Sequence, residues 1–166
     1  MSDPPRRLVV GIGNPDRGDD GLGRMVAGLL RGRLPADVRI EERLGGAAEL
    51  VDLLAEADHA VLVDAMVSGA APGTIRRLDC AAGEVVPGVA GASSHGFGLA
   101  QAIGLARALG SLPPVCLVYA VEAAAFAPGA EMTAVVAEAA EAAAGRIAVE
   151  LASLFPRYGP ACPGHL

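Results

Sequence analysis

Short apolar runs alternate with longer amphipathic stretches along this chain. The run LVVGI (8–12) is rich in β-branched residues and ends beside glycine, which predicts a buried strand. Residues 20–34 carry apolar positions at near-helical spacing and predict a helix. DVRIEER (37–43) alternates and predicts a second strand, and residues 47–57 predict a second helix. HAVLVDAM (59–66) reads as a third, buried strand. Residues 71–79 open on a Pro-Gly turn and continue as a short strand. So tight a turn predicts an antiparallel or edge position. EVVPGVAGASS (84–94) reads as loop, 96–109 as an apolar helix and 114–121 as another buried strand. The alanine-rich stretch 131–155 predicts a long helix on propensity alone. Pro156 ends it, and residues 156–166 read as a loose tail.

Strands alternating with helices predict a single α/β domain over 1–155, a sandwich around a mostly parallel sheet. A chain of 166 residues suits one such domain with one real core. The hydrophobic share is 52%, with 3% aromatics and no Trp, so Ala, Val, Leu and Ile must fill that core. Every basic residue is arginine, which excludes Schiff-base chemistry and a P-loop lysine. A net charge of −6 with no basic stripe argues against nucleic acid. Three widely spaced cysteines, Cys80, Cys116 and Cys162, form no disulfide framework. Neither a signal-like apolar leader nor a membrane-length apolar run is visible, so the expectation is a cytoplasmic protein.

The chemistry concentrates in GIGNPDRGDDGLG (11–23), directly after the first strand. A dinucleotide site there needs G-x-G-x-x-G and an anion at the following helix start. Gly11 and Gly13 fit, and Glu41 or Glu42 stands where a ribose acid would. The third glycine position, however, is Asp16, and Asp19 and Asp20 occupy the place a pyrophosphate would approach. The chain itself supplies the negative charge that a helix start favours, so a phosphate would be repelled. The alternative is a cation site. One aspartate at a helix start is ordinarily a cap; a second remains free to bind.

Further ligands follow from the architecture. Loops at the carboxyl ends of parallel strands converge on one edge. Asp20 follows the first strand, Asp64 ends the third, and His95 opens the helix before the last. Two carboxylates and an imidazole form a plausible set for a divalent transition ion. Taken singly, Asp64 is an ordinary strand-terminating residue and His95 an ordinary cap or surface residue.

In this order and spacing, GIGNPDRGDDGLG (11–23), VDA (63–65) and SSHGFGL (93–99) resemble the [NiFe] hydrogenase maturation proteases, over nearly the whole chain to about residue 150. The resemblance implies a twisted five-stranded sheet between helices. It implies an endopeptidase that removes the C-terminal extension of the hydrogenase large-subunit precursor after nickel insertion. Asp20, Asp64 and His95 then correspond to the family's metal-binding positions. The metal is the nickel that the precursor presents, and the precursor is the partner. Asp19 is either a helix cap or a general base. Two features depart from the family pattern. Leu44 precedes Gly45 where many members carry an acid, and the last helix opens as EMTAVV without a proline.

Other candidates are weaker. Ser93 and Ser94 adjoin His95, but neighbours in sequence rarely have triad geometry, and no G-x-S-x-G elbow or H-E-x-x-H exists. Cys116 lies in an apolar run and Cys80 has no activating base nearby. Cys162 and His165 are only two ligands in a tail. Glu122 follows the last strand on the same edge, as a supporting group or a solvated strand end. The alternative to an endopeptidase is a non-catalytic, chaperone-like module binding metal or precursor on the same scaffold. Small domains of this kind can work as monomers, and neither a membrane nor nucleic acid is an expected partner.

Overall fold

The computed structural model describes residues 3–87 and 94–154, with side chains for all of these except 94–97 and 154. The chain runs β1 (Arg7–Ile12), a 3-10 turn (Gly18–Gly21), α1 (Leu22–Leu30), β2 (Val38–Arg43), α2 (Ala47–Ala55) and β3 (His59–Met66). It continues through β4 (Ile75–Asp79), α3 (Ser94–Ala108), β5 (Val115–Glu122) and α4 (Ala134–Leu154). The five strands form one sheet in the order β2-β1-β3-β5-β4. The first four are mutually parallel, and β4 pairs antiparallel with β5 at the edge. The Pro-Gly turn accounts for β4: Gly73 sits at φ +86°, and the Gly73 N–H donates to the Glu122 carbonyl at 2.8 Å.

Two apolar layers cover the sheet. Ala60, Leu62 and Met66 of β3 face α2 and α3, packing with Leu50, Leu54, Leu99 and Ile103. Val61, Val63 and Ala65 face α1 and α4, packing with Leu22, Val26, Val136 and Ile147. Because both faces are covered, β1, β3 and β5 read as nearly continuous apolar runs. This is the expected three-layer α/β/α sandwich with a mostly parallel five-stranded sheet.

Several boundaries differ from expectation; the second helix, for one, stops at Ala55. The first helix opens as a 3-10 turn and stops at Leu30, because Gly32 takes φ +82° ahead of Pro35. The last helix begins at Ala134, three residues late, because Thr133 is engaged elsewhere. The third helix begins slightly early, at Ser94. The expected tail, 156–166, and the Cys162 and His165 pair lie outside the described residues, as does most of the loop expected between β4 and α3.

The glycines of the opening motif are explained by packing. A Cβ on Gly11 would sit 2.2 Å from the Gly23 carbonyl oxygen. One on Gly23 would sit 2.3 Å from that of Ile12 and 2.4 Å from that of Val63. Helix α1 therefore lies directly on β1 and β3. Gly13 has φ +138°, and a Cβ there would fall 1.9 Å from the Asp20 carbonyl oxygen. The backbone carrying Asp20 thus folds back across the end of β1.

Candidate active site

In this strand order, β1 leads through α1 to β2 on one side, while β3 lies on the other. The chain leaving β1 goes to the α1 and α4 face, and α3 comes back onto the opposite face. A parallel sheet opens a crevice at such a divergence, beyond the carboxyl ends of its strands. Asp20 lies just beyond β1, and Asp64 lies near the carboxyl end of β3.

Both carboxylates are buried, Asp20 at 1% and Asp64 at 2% exposure. The Asn14 N–H donates to Asp20 Oδ2 at 3.2 Å, closing the motif loop over the side chain. Asp64 is poorly served. Its Oδ1 accepts the Ala65 N–H at 2.8 Å, and its Oδ2 is buried with no hydrogen-bond partner among the described residues. Burial above all, and then the negative charge of Asp20, push the Asp64 carboxyl well above the usual carboxylate range. A buried charge without compensating bonds is costly unless it is paired or binds a cation. Two mutually repelling buried carboxylates with an unused oxygen fit a divalent ion, which removes both the repulsion and the missing bond.

Asp19 is the opposite case. It is fully buried, yet its Oδ2 accepts the N–H groups of Ala124 at 2.8 Å and Ala125 at 3.0 Å. Its Oδ1 accepts the Thr133 N–H at 2.8 Å, and the Thr133 hydroxyl lies 2.9 and 3.0 Å from the two oxygens. Burial pushes this carboxyl up, but the three amides and the hydroxyl outweigh it and hold the group below its ordinary value. Asp19 is therefore a clamp between the motif and the segment joining β5 to α4. It caps no helix of its own, and its lone pairs are already committed, which leaves none for a base to use.

Glu122 ends β5 on the same edge of the sheet. It is 3% exposed and accepts hydrogen bonds from Ser68 and Gly69, so it is not solvated. His95 lies in the first turn of α3, and its side chain falls outside the described set. α3 starts close to the loop after β2, since a Cβ on Gly98 would meet the Gly45 oxygen at 2.2 Å. No group of three metal-ligating side chains occurs among the described residues. Leu44, at the departure from the family pattern, is exposed. Burial pushes the Cys80 thiol to about 11 and the Cys116 thiol to about 12, so neither supplies a thiolate at neutral pH. His59, at the start of β3, is at the opposite end of the strand from Asp64.

Fold and site together define a three-layer α/β domain with a buried carboxylate pair at the switch point of its parallel sheet. The profile of the hydrogenase maturation proteases matches residues 38–150, a span that includes Asp64 and His95 but starts after the glycine-rich motif. The hydrogenase expression/formation protein HupD of Thiocapsa roseopersicina is 32% identical over 127 residues, covering 74% of this chain and 56% of HupD. The chain thus spans little more than half the length of that relative. Among solved structures, the hydrogenase maturating endopeptidase HybD of E. coli superposes with a TM-score of 0.78 at 30% identity, over 90% of this chain and 93% of HybD. The [NiFe] hydrogenase maturation protease HycI of Thermococcus kodakarensis superposes with a TM-score of 0.66 at 26% identity, over 89% and 93%. The chain belongs to the hydrogenase maturation protease family. No helix among the described residues is long and apolar enough to cross a membrane.

Proposed function

We propose that this protein is an endopeptidase that removes the C-terminal extension of a nickel-loaded [NiFe] hydrogenase large-subunit precursor. The observation that carries the reading is the orphaned Asp64 Oδ2, buried beside the charge of Asp20 at the sheet's switch point. In this reading Asp20, Asp64 and His95 engage the nickel that the precursor brings. Nickel is then part of the substrate and the element by which the precursor is recognised. A divalent ion held there polarises a carbonyl or activates a water. The chain's own share is to hold two dry carboxylates in fixed positions and leave coordination sites for substrate groups. The cytoplasm, where a metal-loaded precursor would be met before assembly, is the proposed location.

The test is mass spectrometry of nickel-loaded precursor incubated with wild type, Asp20→Ala, Asp64→Ala or His95→Ala protein. The expected result is a shortened large subunit with wild type and full-length subunit with each variant. Unchanged cleavage by the variants sinks the site assignment. A precursor that wild type binds but leaves at full mass makes the protein a binding module instead.

A further inference from the structure

The carboxyl end of β5 is tied both to the turn that carries Asp20 and to the end of β3, the strand that carries Asp64. On one side, Ala124 and Ala125 donate their amides to Asp19, and the Asp19 amide donates to the Ala125 carbonyl at 3.0 Å. That double tie holds the residue next to Asp20. On the other side, the Ala123 N–H donates to the Met66 carbonyl at 2.9 Å, two residues beyond Asp64. The Glu122 carboxylate completes this side. Its oxygens accept the Ser68 N–H at 2.9 and 3.1 Å, the Ser68 hydroxyl at 2.7 Å and the Gly69 N–H at 3.2 Å.

Register puts Glu122 opposite Met66 and Asp64 opposite Ala120, so Asp64 and Glu122 share the sheet face covered by α2 and α3. Ser68 and Gly69 are themselves exposed. The loop after β3 therefore has little apolar burial to hold it, and segments of that kind open readily. A buried carboxylate in turn needs hydrogen bonds. Each satisfies the other.

We propose that Glu122 is a positioning residue that sets Asp64 against Asp20, by pinning the loop after β3 to the strand end that also holds Asp19. It touches no substrate and acts through Ser68 and Gly69. The proposal rests on reading Asp20 and Asp64 as the site. Partners that orient metal-ligating groups typically change metal affinity by about 10–100-fold when removed.

The experiment compares wild type, Asp64→Asn, Glu122→Gln and Ser68→Ala by calorimetric titration with Ni2+ alone, thermal unfolding and amide hydrogen exchange at Ala65. The Ala65 amide reports on Asp64 directly, since it donates to Oδ1, and this readout needs no metal. Glu122→Gln is expected to weaken Ni2+ binding about tenfold or more. Ser68→Ala, which removes one donor, should weaken it less with a midpoint within about 2 °C of wild type, as for an ordinary surface substitution. Exchange at Ala65 should quicken in both. Unchanged Ala65 exchange and unchanged affinity in both variants overturn the role of Glu122. If Asp64→Asn binds Ni2+ as wild type does, the candidate site fails instead; if neither binds Ni2+ alone, the affinity arm is silent on a metal that the precursor brings. Ala65 exchange then still decides whether Glu122 positions Asp64.

Discussion

Replacing Asp19 by asparagine separates a clamp from a catalytic base. The buried carboxylate accepts three backbone amides and one hydroxyl. Asparagine keeps one acceptor oxygen. It can serve the Thr133 pair or the Ala124 and Ala125 pair, while its NH2 group faces the donors of the other. Hydrogen bonds to a charged group contribute about 1.5–3 kcal/mol each, and a stranded buried donor costs a similar amount. Losing one pair therefore costs on the order of 3–5 kcal/mol, a large part of the ~5–15 kcal/mol that holds a typical domain. For a domain of this length that lowers the thermal midpoint by on the order of 10 °C. The chain has no Trp, so far-ultraviolet circular dichroism is the suitable probe. Thr133→Val removes only the hydroxyl bond to the same charged carboxylate and should cost about 1.5–3 kcal/mol, less than the loss of a pair. The double variant should cost less than the sum, because both changes strip the same carboxylate. An unchanged midpoint with lost precursor cleavage would refute the clamp and make Asp19 a group that acts on substrate.

Three other substitutions probe the rest of the framework. Gly23→Ala places a methyl 2.3 and 2.4 Å from carbonyl oxygens of β1 and β3; it should cost about 3 kcal/mol or more, and a midpoint near wild type would mean α1 does not lie on the sheet as described. Gly145→Ala, in α4, adds a Cβ with no heavy atom within 4 Å; it should raise the midpoint by about 3 °C through helix propensity, and a fall would show that this face packs against something. Asp64→Asn removes an ion that burial and Asp20 both disfavour; it should stabilise the fold by on the order of 1 kcal/mol while ending cleavage, and a lowered midpoint would contradict a destabilised carboxylate.

Much of the fold was legible because the strands buried on both faces must be apolar throughout. The third strand was expected at 59–66 and spans His59–Met66. The edge position of β4 followed from Pro72 and Gly73. The order β2-β1-β3-β5-β4 was not legible, since no local pattern records which strands pair across the intervening helices. The helix boundaries slipped where side chains or backbone serve distant partners. Thr133 has good helical neighbours, but its amide and hydroxyl go to Asp19, so α4 begins only at Ala134, three residues after the expected start.

The same distance explains what the motif concealed. Asp19 finds its donors 105 to 114 residues away, and Glu122 finds its own 53 to 54 residues away. In sequence, Asp19 and Asp20 are two equivalent acids after a glycine turn. In the fold they differ by the donors each receives. Asp19 sits among amides that satisfy its charge and tie the motif to the end of β5. Asp20 is thereby fixed against Asp64, whose second oxygen receives no donor from the described residues. In the proposed function the doublet of acids divides the labour: one carboxylate is satisfied by the protein, and its neighbour is held, at an energetic cost, for the cation that the precursor brings.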